Sequence, residues 1–266
     1  MAGADYITVL MPVRAYRRDY LEQAIGSITG QTCPAWQLLI IVGPGPAAEF
    51  CQACGDLLDD PRIAIIPNEG RQLAGKLNTG MRHARTAFVA VLFADDIWSE
   101  HAVDVLLRSI REHPDADLLH SARRFIDDHG EPISDVYPSR EGVTSSDFLT
   151  HAPVKHLLCW RVQKALSFGG MDESLNSIGV DDFDFPWTMA DQGARFVAVP
   201  DCLYLARDHR ACFRLTTHIP RSVQARELRR IMRKHGAGRE AISRRVAEAR
   251  ESYLRQCLTA TALIYS

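Results

Sequence analysis

The chain has 266 residues, enough for one sizeable α/β domain or one domain with a small appendage. Hydrophobic residues at 46% and charged residues at 24% are ordinary globular usage and exclude extensive disorder, and a net charge of −2 excludes the global basic field of a nucleic-acid binder. The longest apolar runs, Leu38–Val42 and Phe88–Ala94, have strand length and fall short of a membrane span.

In chain order, Ile7-Thr-Val-Leu-Met-Pro12 is an apolar run ended by proline and predicts a buried strand. Leu21, Ala24, Ile25 and Ile28 form an i, i+3, i+4, i+7 stripe, so a helix is expected from about Asp19 to Thr29, closed by Gly30. Trp36–Val42 is a second strand, and its near-continuous apolar character suits a sheet covered on both faces. Gly43-Pro-Gly-Pro46 breaks the chain before a helix over Ala47–Leu58, with both thiols of Cys51-x-x-Cys54 facing the core. Arg62–Ile66 is a third strand, Gly75–Ala84 a helix, Phe88–Phe93 a fourth strand and Glu100–His113 a further helix. This alternation predicts βαβ units and a mostly parallel sheet. Beyond Pro114 the pattern loosens. Asp117–His120 and Arg195–Val199 read as strands, Asp127–Thr144 as a loop, and Pro220–Ser266 as two Arg-rich helices broken at Gly236-Ala-Gly238.

Asp95 and Asp96 sit at the carboxyl end of the fourth strand, the edge at which open α/β sheets bind ligands. Two adjacent carboxylates there suit Mg²⁺ or Mn²⁺, held together with substrate phosphates; the alternative is a solvated turn that caps the next helix. Asp181-Asp-Phe-Asp184 places three acids among Phe183, Phe185 and Trp187. They either open a helix, where its dipole favours them, or supply a general base beside an aromatic acceptor platform formed by Phe183 and Trp187. In the polar stretch Asn68–Gly80, Lys76 and Asn78 lie where backbone N–H groups and a cation can meet a diphosphate. The segment is not a P-loop. His209 follows a strand candidate and by itself reads as an ordinary surface or core histidine. A single Cys-x-x-Cys gives no zinc site. The seven cysteines are odd in number and irregularly spaced, and no basic leader opens the chain, so the protein reads as cytosolic with reduced thiols.

The order of these motifs resembles the inverting glycosyltransferases of family 2, with the type A nucleotide-sugar transferase fold. The resemblance runs from Val9-Leu-Met-Pro-Val13 through Tyr20–Thr32, Leu38–Val42, Asn78–Ala84 and Val91-Leu-Phe-Ala-Asp-Asp-Ile-Trp98 to Phe168–Ser174, Asp181–Asp184 and Tyr204–His209. It implies an α/β fold with a Rossmann-like, mostly parallel central sheet and flanking helices. It also implies a nucleoside-diphosphate-sugar donor and a divalent ion, Mn²⁺ or Mg²⁺, at Asp95 and Asp96, with His209 completing the metal site. Asp182 would be the general base, supported by Asp181. Donor contacts are expected from Pro12, Arg14, Lys76, Asn78, Asp95 and Asp96. The family's acceptors include glycans, lipid-linked sugars and small molecules. Two departures stand out. Gly43-Pro-Gly-Pro46 replaces the usual acidic stretch that reads uracil, and Phe93 replaces the first aspartate of the metal motif.

The expected organisation is a catalytic domain over about 1–217, with its nucleotide and metal half at 1–98 and its acceptor half at 99–217. A helical extension over 218–266 would contact a membrane surface at the inner face of the membrane or a second copy of the chain. Two other readings share the architecture: a sugar-phosphate nucleotidyltransferase, disfavoured because Arg14–Arg18 lacks the glycine-rich triphosphate loop, and a degenerate, non-catalytic scaffold. The absence of Gly-x-Gly-x-x-Gly after the first strand excludes a Rossmann dehydrogenase.

Overall fold

The computed structural model describes residues 5–43, 47–175, 179–208 and 220–249. Strands β1 (Ile7–Pro12), β2 (Trp36–Val42), β3 (Ile63–Pro67) and β4 (Phe88–Val91) are joined by helices α1 (Arg18–Thr29), α2 (Ala47–Cys54) and α3 (Gln72–His83). These four strands pair in parallel in the order β3-β2-β1-β4. Their continuous apolar character follows from two-sided burial. Along β2, Leu38, Ile40 and Val42 enter one core while Leu39 and Ile41 enter the other. The stripe Leu21, Ala24, Ile25 and Ile28 of α1 covers the first face, together with α4 (Ala102–Glu112). Ala74, Leu77 and Met81 of α3 cover the second.

The second half of the sheet is mixed, and four of the seven strand pairings in the whole sheet are parallel. β4 pairs antiparallel with β7 (Leu158–Arg161), and β7 pairs antiparallel with β6 (Leu118–Ile126). β6 pairs parallel with β8 (Phe196–Arg207), whose far end pairs antiparallel with the two-residue strand β5 (Ile97–Trp98). Both β6 and β8 run well past the segments legible in the sequence. β7 and the short helix α5 (Val162–Ser167) carry no periodicity that marks them. Helix α2 ends at Cys54 in a tighter turn over Gly55–Leu57, and it exposes Cys51 while burying Cys54, so only one of the two thiols faces the core.

Two close approaches shape the loops that reach the site. A Cβ on Gly75 would lie 2.4 Å from the carbonyl carbon of Gly70, so the chain ahead of α3 folds back on that helix only with glycine there. Gly179, at φ +60°, turns the chain into a π-helical turn over Val180–Asp184, which runs on into α6 (Phe185–Asp191).

The C-terminal helices are α7 (Arg221–Lys234) and a last one over residues 239–249. They bury Ile231, Met232, Ile242 and Val246 in the same core as Leu77, Phe183 and Trp187. Fully burying a side chain of this size contributes roughly 1.5–3 kcal/mol. No described helix is long and apolar enough to cross a membrane.

Candidate active site

Beyond β4 the chain turns at Phe93–Asp96, closed by the Asp96 N–H donating to the Phe93 carbonyl at 3.2 Å. β5 follows at once, and its pairing with Tyr204 and Leu205 carries the end of β8 to this turn. The Tyr204 hydroxyl donates to Asp96 Oδ2 at 2.6 Å, and the Arg207 backbone N–H donates to Asp96 Oδ1 at 2.7 Å. The Arg207 side chain braces the turn. Its Nε donates to the Asp95 carbonyl at 2.8 Å, its Nη1 to the carbonyls of Asp127 and Asp128, and its Nη2 to Gln23.

Asp96 is 9% exposed. Burial, and then the neighbouring charge of Asp95, pushes its carboxyl from 3.8 up to about 7 against the opposing pull of its two hydrogen bonds. Burial and the Asp96 charge likewise raise the Tyr204 hydroxyl, which therefore keeps its proton and donates it. The described residues contain no cluster of three or more histidine, cysteine or acidic ligands. Asp95 and Asp96 alone fit a hard divalent ion that takes its remaining ligands from phosphate and water. His209, expected to complete that set, lies outside the described residues, as do Pro44, Gly45 and Pro46 of the stretch that replaces the uracil-reading motif.

The three acids of the turn over Val180–Asp184 have separate roles. Asp181 Oδ2 pairs with His156 Nε2 at 2.8 Å, and both residues are buried. The His156 ring packs between Phe93, with centroids 5.1 Å apart, and Tyr204, at 5.4 Å, so it joins this turn to the Phe93–Asp96 turn. Asp182 is half-buried, and burial followed by the Asp181 charge raises its pKa, while His156, Lys155 and Arg123 lower it. Asp184 is wholly buried and is taken up by the C-terminal region: Lys234 Nζ lies 3.0 and 2.8 Å from its two oxygens and His235 Nε2 at 3.1 Å.

Around the donor edge, Pro12 is buried as the last residue of β1, and Arg14 is exposed just beyond it. Lys76 is 8% exposed, with no hydrogen bond or ion pair among the described residues. Burial, and then Arg14, lowers its pKa, so an anion placed between these two side chains would relieve both effects.

Two expectations about the site need correction. The Asn78 side chain is not available to a donor. Its Nδ2 donates to the Met171 carbonyl and to Glu173 Oε1, both at 2.9 Å, and its Oδ1 accepts from the Met171 N–H at 2.9 Å, so it ties α3 to the loop ahead of the acidic turn. Phe183 and Trp187 are not an acceptor platform. Trp187 is 1% exposed, stacked on His235 at 4.3 Å and on Phe148 at 5.7 Å, and Phe183 packs edge-on against it. Sequence reasoning missed His156, Lys155 and Arg123. A lone histidine in Val154-Lys-His-Leu157 and one arginine in a strand carry no signal until the fold brings them to Asp181 and Asp182.

The likeness to solved structures is one of fold. Over 85% of this chain and 65% of the other, the structure matches S. aureus TarS residues 1–349 in complex with UDP-GlcNAc at a TM-score of 0.62 and 17% identity. Over 100% of this chain and 83% of the other, it matches the mannosyltransferase PcManGT from Pyrobaculum calidifontis in complex with GDP-Man and Mn²⁺ at 0.58 and 16%. The mixed sheet with flanking helices is thus the type A glycosyltransferase fold. The pattern of glycosyl transferase family 2 matches residues 8–151, more than half of the chain, and the protein belongs to that family. Among curated relatives, the O-antigen biosynthesis protein RfbC of Myxococcus xanthus is 22% identical over 208 residues, 76% of this chain and 16% of that protein. The Escherichia coli UDP-Glc:alpha-D-GlcNAc-diphosphoundecaprenol beta-1,3-glucosyltransferase WfgD is 28% identical over 104 residues, 38% of this chain and 40% of that one. The chain spans less than half the length of these relatives.

Proposed function

We propose that this protein transfers a sugar from a nucleoside-diphosphate donor to an acceptor hydroxyl, inverting the anomeric carbon with the help of a divalent ion. The observation that carries this reading is the meeting of two carboxylate groups through one histidine: Asp96, raised to about 7 beside Asp95, and Asp182, beside the His156–Asp181 pair.

Asp182 takes the proton of the acceptor hydroxyl, because a half-buried carboxylate with a raised pKa is a stronger base than a solvated one. The acceptor oxygen forms its bond to the anomeric carbon from the face opposite the phosphate, the bond from that carbon to the phosphate oxygen breaks, and the nucleoside diphosphate leaves with the electron pair. His156, held by Asp181, keeps the acidic turn oriented and tempers the negative charge around Asp182. Lys76 and Arg14 face the departing charge. A divalent ion, Mn²⁺ or Mg²⁺, would be held by Asp95 and Asp96, with His209 as a further ligand, and supplies Lewis-acid stabilisation of the leaving phosphate. The complex of PcManGT with GDP-Man and Mn²⁺ supports this choice of partners. The free thiols of Cys33, Cys51, Cys54, Cys159 and Cys202 support a reducing, cytoplasmic setting.

The test is calorimetric titration with UDP, GDP, dTDP and CDP, each with and without Mn²⁺. Tight binding of one nucleotide that depends on the metal is the expected result and names the donor base. Failure of all four to bind a folded protein would leave a scaffold of the same fold.

A further inference from the structure

Beside Asp182 lies a group of cations that the transfer step does not use. Arg123 stands on β6 in register with Tyr204, the residue that holds Asp96. Lys155 directly precedes His156, which is bound to Asp181. Arg245, on the helix over residues 239–249, places its guanidinium 5.9 Å from the ring of Phe183, the residue after Asp182. All three are half-buried, and none makes a side-chain hydrogen bond or an ion pair among the described residues. The Nε atoms of Arg123 and Arg245 are fully buried without a partner.

Their surroundings do not neutralise them. Burial lowers the Lys155 pKa, with Arg123 and Arg245 adding to the effect and Asp182 alone opposing it. Burial also lowers that of Arg245, opposed only by Glu248 on its own helix. His151 is lowered by burial and then by Arg140, with Lys155 and Arg245 adding to the effect; Asp147 opposes. Asp147 itself is taken by Arg140 at 2.6 Å. Outside the described residues the chain holds a single acid, Glu251. Arg123 and Lys155 beside Asp182, with Arg245 near Lys155, therefore carry more positive charge than Asp182 offsets, and buried charges without partners are costly unless a ligand completes them. This group stands on β6, on the loop ahead of β7 and on the last helix, whereas Lys76 stands on α3 and Arg14 just beyond β1.

We propose that Arg123, Lys155 and Arg245 bind a phosphate group carried by the acceptor, next to the hydroxyl that Asp182 deprotonates. The proposal rests on the reading of Asp182 as the base. A phosphate offers acceptor oxygens on several sides, which suits two guanidinium forks and an ammonium converging from a strand, a loop and a helix. The same chemistry is presented by a phosphorylated polyol or sugar and by a lipid headgroup.

The experiment titrates the full chain with glycerol 3-phosphate, with glycerol as the neutral control, and with phosphatidylglycerol vesicles against phosphatidylcholine vesicles. Arg123→Gln, Lys155→Met and Arg245→Gln are titrated alongside. Binding of glycerol 3-phosphate or of the anionic vesicles, weakened about tenfold or more by each substitution, is expected. Whichever probe binds names the source of the phosphate. Metal-dependent nucleotide binding should be unchanged in all three variants. If any variant fails to fold, the wild-type comparison of glycerol 3-phosphate with glycerol still decides the matter. Equal affinity for the two, with the vesicles unbound, overturns the proposal, and so does loss of nucleotide binding in the variants, which would assign these cations to the donor. Nucleotide binding that persists while both phosphate probes fail would leave the transferase reading standing and remove only this inference.

Discussion

Replacing Asp96 with asparagine separates the charge of this carboxylate from its shape. Asparagine still offers an oxygen to the Arg207 N–H and an amide group to Tyr204, so it mimics the protonated acid. The wild-type carboxyl ionises at 3.8 in the unfolded chain and at about 7 in the folded one, so between these values the unfolded chain loses a proton that the folded chain keeps. Wild-type stability without metal therefore falls as pH rises through that window and levels off above it. At about 1.36 kcal/mol per pKa unit, the asparagine variant gains roughly 2 kcal/mol over wild type at pH 5 and at most about 4 kcal/mol above pH 7. Each kcal/mol moves the melting temperature by roughly 2–4 °C for a domain near this size. Urea unfolding of both proteins at pH 5 and pH 8.5, in EDTA and in Mn²⁺ plus the nucleotide that binds, measures the difference. In EDTA the variant should be the more stable, by a wider margin at pH 8.5, whereas Mn²⁺ plus nucleotide should stabilise only the wild type. A margin that does not widen between pH 5 and pH 8.5 would refute the claim that Asp96 carries a buried, uncompensated charge.

Asp182→Asn should lower turnover by about 10²- to 10⁴-fold while leaving metal-dependent nucleotide binding unchanged in calorimetry. Loss of nucleotide binding instead would move this residue to the donor side. Lys76→Met should weaken nucleoside diphosphate binding by about tenfold or more and leave the free protein no less stable, because the ammonium has no partner among the described residues. Trp187→Ala should destabilise the fold by about 3–5 kcal/mol in denaturant unfolding. A stable variant with only a raised acceptor KM would restore the acceptor platform.

The first half of the fold is legible because local and tertiary requirements agree there. β1, β2 and β4 are buried on both faces, so Ile7–Pro12, Trp36–Val42 and Phe88–Val91 read as near-continuous apolar runs, interrupted only by Thr8 and Gln37. The α1 stripe buries the residues whose spacing predicted it. The second half is less legible because its strands are defined by their neighbours. β7 has four residues and no alternation, and it exists through antiparallel pairing on both sides. β8 extends to Arg207 because β6 and β5 pair with its later residues, whereas the sequence by itself predicted a strand only to Val199.

The same division holds at the site. Adjacency along the chain is enough to place Asp95 and Asp96 at a strand end and to group Asp181, Asp182 and Asp184, since neighbours in sequence stay neighbours in space. Composition cannot decide what each acid faces. Packing against α7 makes Asp184 an anchor for Lys234 and His235 and seals Trp187 beneath His235. The loop ahead of the acidic turn occupies Asn78 completely. Only tertiary structure sets His156 between Phe93 and Tyr204 with Asp181 on its ring nitrogen, because those contacts join residues 25 to 63 positions apart along the chain, where no sequence spacing can report them.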